Sequence, residues 1–132
     1  MKPILFIVLL VFFAGLSIQA QEQQKKHGDV YFIADVMPEY PGGMDALKQL
    51  LVDNVKYPEQ AKKDNVEGKV YVTFIVDENG NVQDEKIARG VNPELDAEAL
   101  RVVKLMPKWT PGKEGGKTVK VSFTLPVQFA LN

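Results

Sequence analysis

Cysteine is absent from the 132 residues, and histidine and tryptophan occur once each, as His27 and Trp109. Without cysteine the chain has no disulfide, no thiolate metal site, no iron–sulfur cluster and no thiol nucleophile. A single histidine excludes the two-histidine spacing of zinc hydrolases, and His27 sits in a polar stretch that reads as a solvated tail. Serine is scarce as well, with only Ser17 and Ser122 and no histidine near either in sequence, which argues against a Ser-His-Asp arrangement. An excess of one charge is also missing. Lys and Arg number 16 and Asp and Glu 17, for a formal net charge of −1, so nucleic acid is not the expected partner. The sequence predicts no enzyme, no cofactor and no metal.

A long apolar run occurs in one place only. Pro3 to Leu16 carries no polar side chain, Lys2 precedes it, and Ser17-Ile18-Gln19-Ala20-Gln21 follows. This is the layout of a secretory signal peptide cut after Ala20. A retained membrane anchor is the alternative. The apolar run would rise about 21 Å as a helix against a hydrocarbon core of about 30 Å, and extension to Ala20 nearly closes the gap. On either reading the rest of the chain is exported. The expected division is residues 1–20 as signal peptide or short membrane anchor, 21–37 as polar lead and extended arm, and 38–132 as one folded domain.

Within the arm, Val30 to Val36 is a short apolar run suited to a strand or a docked extended segment. The turn-rich Pro38 to Gly43 precedes a helical pattern in which Met44, Leu47, Leu50, Leu51 and Val55 share one face. Tyr57-Pro58 ends it, since the residue before a proline leaves the α region, and Pro58 opens a second helix, Glu59 to Lys63. From Gly68, Val70, Val72, Phe74 and Val76 alternate with polar neighbours as a half-buried strand. Asp77-Glu78-Asn79-Gly80 is its turn, with Gly80 free to take a positive φ. The return strand, Val82 to Arg89, has its apolar residues at opposite parity, which predicts a β-bulge or an ill-defined face. Asn92-Pro93 starts a third helix with Leu95, Ala99, Val102, Val103 and Met106 inward, ended by Pro107. Lys108 to Lys117 reads as a turn-rich connection. In the last segment Val119, Val121, Phe123, Leu125, Val127 and Phe129 point one way, and Lys120, Ser122, Thr124 and Gln128 the other. Pro126 cannot donate to a ladder, so this strand should leave at least part of one edge unpaired. The expected class is α+β, a three-stranded antiparallel sheet with the first hairpin strand central and two to three helices on one face.

Two local patterns mimic binding motifs. Gly115-Gly116-Lys117-Thr118 has the end of a phosphate-binding loop, yet Pro111 stands where that loop needs glycine and a strand follows in place of a helix. Asp77-Glu78-Asn79-Gly80-Asn81 has the start of a calcium loop but lacks the later glutamate and the flanking helices. Glu94, Asp96 and Glu98 enrich the first turns of a helix, where the macrodipole favours negative charge.

The order of several elements is more telling than any one of them. Tyr57-Pro58-Glu59-Gln60-Ala61, Glu67-Gly68 leading into Val70 to Val76, Asn79-Gly80-Asn81-Val82 and Leu95 to Leu100 are followed by Trp109-Thr110-Pro111-Gly112-Lys113 and the strand to Phe129. Over about residues 38 to 131 this resembles the C-terminal domain of the TonB energy-transducer family, in the flavour found in Bacteroidetes-type bacteria. The resemblance implies a non-enzymatic periplasmic binding domain, or an inner-membrane-anchored one facing the periplasm. Its partner would be an outer-membrane TonB-dependent receptor, gripped as an extended segment beside the last strand in transmembrane transport. The residues carried over for docking are Val119, Lys120, Val121, Ser122, Phe123, Thr124, Leu125, Val127, Gln128 and Phe129. Tyr57, Pro58, Gly68, Gly80, Trp109, Pro111 and Gly112 are expected to be structural. An interaction module that pairs the same edge in a homodimer is the alternative. The chain departs from a full transducer in having about nine lead residues where a long proline-rich spacer is expected.

Overall fold

The structure is a computed structural model and describes residues 25–132. The expected signal peptide or anchor and the first lead residues, 21–24, lie outside the described residues. Two short strands come first, β1 (Lys26–His27) and β2 (Val30–Tyr31), then helices α1 (Gly43–Asn54) and α2 (Glu59–Lys63). The hairpin β3 (Gly68–Val76) and β4 (Val82–Arg89), helix α3 (Pro93–Val103), β5 (Gly112–Glu114) and β6 (Lys117–Phe129) complete the order.

The three long strands are antiparallel neighbours with β3 between β4 and β6, as the alternation patterns predict. The sheet has more strands than expected. Its path is β1-β2-β6-β3-β4, with β5 paired to β6 as well. β2 lies parallel to β6, through Val30 opposite Lys120 and Tyr31 opposite Val121. The extended arm is therefore docked. The connection expected as loop at Lys108 to Lys117 contains β5, which folds back on β6 through Gly115-Gly116.

One face of the sheet carries the core. Val70, Val72, Phe74 and Val76 are fully buried with Val121, Leu125, Val127 and Phe129, because residues two apart on a strand share a face. Leu47 of α1, Ala61 of α2 and Leu95, Ala99 and Val103 of α3 cover them. Asn92 caps α3 by accepting from the Leu95 N–H at 2.9 Å. Met44, expected on the buried face of α1, is exposed instead; it is the second residue of the helix, and burial on that face begins with Ala46 and Leu47.

The parity mismatch in β4 is resolved by two bulges. Thr73 and Ile75 face Lys86 and Gln83, and Tyr71 and Val72 face Arg89 and Ile87, so β4 gains an extra residue at each step. Asp84 takes φ 55 at the first. Val82 and Ile87 thereby come opposite Val76 and Val72 and both pack against the core.

At the far end of the sheet the chain closes on itself around Trp109, which is buried. Its ring meets Tyr40 edge-on at 5.5 Å, Phe74 at 5.5 Å and Phe123 at 5.1 Å. The hairpin turn is held by Asp77, whose carboxylate accepts from Asn79 and Asn81 N–H at 2.9 and 2.8 Å. Gly80 stands against Trp109 there. It has φ 85, and a Cβ would lie 1.9 Å from the Trp109 carbonyl oxygen.

Candidate partner-binding edge

The two edges of β6 are used differently along its length. One side pairs without interruption to β3, from Val121 opposite Val76 to Phe129 opposite Gly68. Elsewhere Lys117, Thr118 and Val119 pair with β5, and Lys120 and Val121 with β2. From Ser122 to Phe129 the side away from β3 has no partner strand among the described residues. The sequence-based edge, Val119 to Phe129, is thus narrower in the structure, because Val119, Lys120 and Val121 are already paired.

Pro126 indicates which groups the open edge presents. It lies opposite Tyr71 in an unbroken register, and a proline is compatible with such a ladder where its nitrogen faces away from the partner strand. Backbone groups alternate along an antiparallel strand. Ser122, Thr124 and Gln128 then turn N–H and C=O toward the open side, with Pro126 contributing only its carbonyl. The side chains of Thr73 and Thr124 meet across the strands, Oγ1 to Oγ1, at 3.1 Å.

Beside the open edge runs a groove of about 530 Å³ between α1 and the end of β6, lined by Lys48, Leu51, Val52, Val55 and Tyr57 on one side and Pro126 to Ala130 on the other. Its walls are apolar apart from Lys48 and Gln128. Val52 is 75% exposed and continues the apolar lining of the groove out to solvent.

The groove is braced from behind. The Tyr57 ring stands edge-on to Phe129 at 5.7 Å, and its hydroxyl donates to the Val66 carbonyl. Burial, with Glu67 nearby, raises the Tyr57 hydroxyl pKa. The last turn of α1 carries no basic residue, and a cation is supplied from α3, where Arg101 donates to the Asn54 carbonyl at 2.7 Å. Arg101 also grips Glu98 at 2.8 Å, and Glu98 accepts from Lys56 N–H at 2.6 Å. These bonds hold the Glu98 carboxyl below its usual range, Arg101 contributing most.

The remaining residues singled out in the sequence are placed as follows. Pro58 is the N-cap of α2, and Gly68 opens β3 with φ 151, where a Cβ would crowd Val91 at 2.9 Å. Pro111 lies between the bridge of Glu39 with Thr110 and the start of β5. Gly112 lets β5 approach, since a Cβ there would come within 2.7 Å of Val121 and 2.9 Å of the Val36 carbonyl. None of Tyr57, Pro58, Gly68, Gly80, Trp109, Pro111 and Gly112 belongs to the open edge, although Tyr57 lines the groove beside it. The α1 wall was missed by sequence reasoning. Its one signal is Val52, an apolar residue one position off the buried stripe.

Among the described residues no helix is long and apolar enough to cross a membrane, and no group of three or more His, Cys, Asp or Glu could hold a metal ion.

A comparison with curated proteins gives no match. Two NMR solution structures of the Helicobacter pylori TonB C-terminal domain are similar in fold. One aligns at a TM-score of 0.51 and 25% identity over 65% of this chain and 78% of that one. A shorter fragment aligns at 0.50 and 24%, over 66% and 91%. Residues 53–131 match the family described as the Gram-negative bacterial TonB protein C-terminal, a match that starts near the end of α1 and leaves β1 and β2 outside it. With more than half of its length matched, this chain belongs to the TonB C-terminal domain family.

Proposed function

We propose that the chain is an exported, non-enzymatic binding module that docks an extended segment of an outer-membrane receptor by strand addition along Ser122 to Phe129, in TonB-dependent transport. The observation that carries the reading is the open edge of β6 beside an apolar groove. An added strand would exchange main-chain hydrogen bonds with Ser122, Thr124 and Gln128. Its alternate side chains would enter the groove and cover Val52, while Lys48 at the rim favours an acidic neighbour. The module works in the periplasm, free after loss of residues 1–20 or tethered to the inner membrane by them. Transduction of proton-motive energy requires the tether.

Thr124→Pro tests the edge. It removes an outward N–H in the manner of Pro126 and should leave the ladder to β3 in place. Calorimetric titration with an extended receptor peptide should show affinity falling about tenfold or more, the effect of one lost donor and a poorer fit. Unchanged affinity in a folded variant refutes docking at this edge. The same edge could pair with a second copy, and a tight dimer in sedimentation that excludes the peptide would favour self-association.

A further inference from the structure

The arm carries an apolar surface that the open edge does not use. Phe32, Ile33, Val36 and Met37 are 48%, 64%, 53% and 41% exposed within six consecutive residues, a density that marks an interaction surface on a small domain. The segment is not loose. Val36 and Lys113 exchange backbone hydrogen bonds of 3.0 and 2.8 Å, and the Phe32 N–H donates to the Lys25 carbonyl at 2.8 Å. That last bond sets Phe32, with Ile33 next to it, beside Lys25, where the described chain begins.

The chain's own sequence says what lies on the other side of that point. Ala20 ends the candidate signal or anchor segment and Lys25 begins the described fold, so the two are separated by at most about 18 Å of extended chain. Whenever residues 1–20 occupy a bilayer, this end of the domain is held at its surface. The charges nearby fit that position. Lys25 is neutralised by Glu114 at 2.5 Å and Asp35 at 3.9 Å, and Lys120 by Asp29 at 3.3 Å. Lys113 and Lys117 of the β5–β6 hairpin are exposed and without an ion pair among the described residues. Lys26 lies 5.2 Å from the ring centre of Tyr31. Lysines without an ion pair among the described residues, close in sequence or pairing to exposed aromatic and aliphatic side chains, suit the headgroup region of an anionic membrane.

We propose that the Phe32 to Met37 face is a membrane-docking surface, which lays this end of the domain on anionic lipid with Phe32 and Ile33 at the acyl boundary. The proposal stands apart from receptor docking, since the arm lies outside Ser122 to Phe129 and a failure of either leaves the other untouched. It is tested on the full chain reconstituted in phosphatidylglycerol-containing vesicles, with Phe32→Trp as reporter and buried Trp109 as internal reference. Bromines on the acyl chains should quench the indole at position 32 several-fold more than that of Trp109. Adding Ile33→Asp, which removes the gain from burying one such side chain, should bring the quenching at position 32 down to about the level of Trp109. Ile33→Trp reports the same contact should Phe32→Trp perturb the arm. Quenching no stronger than that of Trp109 with both reporters overturns the proposal. So does an indole at position 32 that is shielded from water but not quenched, because a second copy then covers the face.

Discussion

Replacing Gly80 with alanine should be among the most damaging single-methyl changes in the chain, and the structure gives the reasons separately. At φ 85 an L-residue is strained, at about 1 to 2 kcal/mol. The new Cβ would also fall 1.9 Å from the Trp109 carbonyl oxygen, so the hairpin turn and the segment carrying Trp109 must separate. That breaks the 2.8 Å bond from the Trp109 N–H to the Gly80 carbonyl, another 1 kcal/mol or so. Shifting Trp109 from Tyr40, Phe74 and Phe123 adds about 1 kcal/mol of lost aromatic contact. The total is about 3 to 4 kcal/mol. Gly115→Ala is the matched control, because Gly115 has φ 58 and no atom within 4 Å of its Cβ position, which leaves the strain alone. Urea titrations followed by Trp109 fluorescence should place Gly80→Ala at least about 2 kcal/mol below Gly115→Ala. Equal losses would show that the contact with Trp109 does not constrain the turn.

Other substitutions test other layers. Phe74 is fully buried between Trp109 and Phe123, and Phe74→Ala should cost about 3 to 5 kcal/mol in the same titration. Asp84 occupies φ 55 at the bulge that restores parity to β4, so Asp84→Val should cost about 1 to 2 kcal/mol, whereas Asp84→Gly should be neutral or stabilising. Glu98 has a lowered pKa, chiefly through Arg101. Its stabilisation is therefore present above the unfolded carboxylate value of about 4.3 and is lost as pH falls through the lowered folded value. Glu98→Gln should lose about 1 kcal/mol at neutral pH and converge on the parent protein in acid, as read from stability against pH. A constant difference across that range would refute the role given to the ion pair.

The parts of the fold legible in the sequence are those with an unambiguous local period or cap. Val70 to Val76 and Val119 to Phe129 alternate, Asn92-Pro93 caps a helix, and Tyr57-Pro58 separates two more. The β4 bulge was visible as conflicting parity between Val82 and Ile87, although its position needed the register with β3. What the sequence concealed depends on long-range approach. β5 is three residues long and has no period to detect, and β2 pairs through two residues from a segment about ninety positions away. The unpaired edge was deducible from Pro126, but its limits were not, because β2 and β5 decide where it begins. The groove was hidden for a similar reason. Lys48, Leu51, Val52 and Val55 belong to a helix whose distance from β6 no local pattern encodes.

The central claim is that Ser122 to Phe129 accepts an extended partner strand, and backbone amide shifts measure that most directly. On titration with an extended peptide from an outer-membrane receptor, the amides of Ser122, Thr124 and Gln128 should shift and gain protection from exchange. The methyl groups of Leu51, Val52 and Val55 should shift with them, while Lys86 and Ala88 on the opposite edge stay in place. Saturable binding that leaves those three amides unmoved would contradict the account.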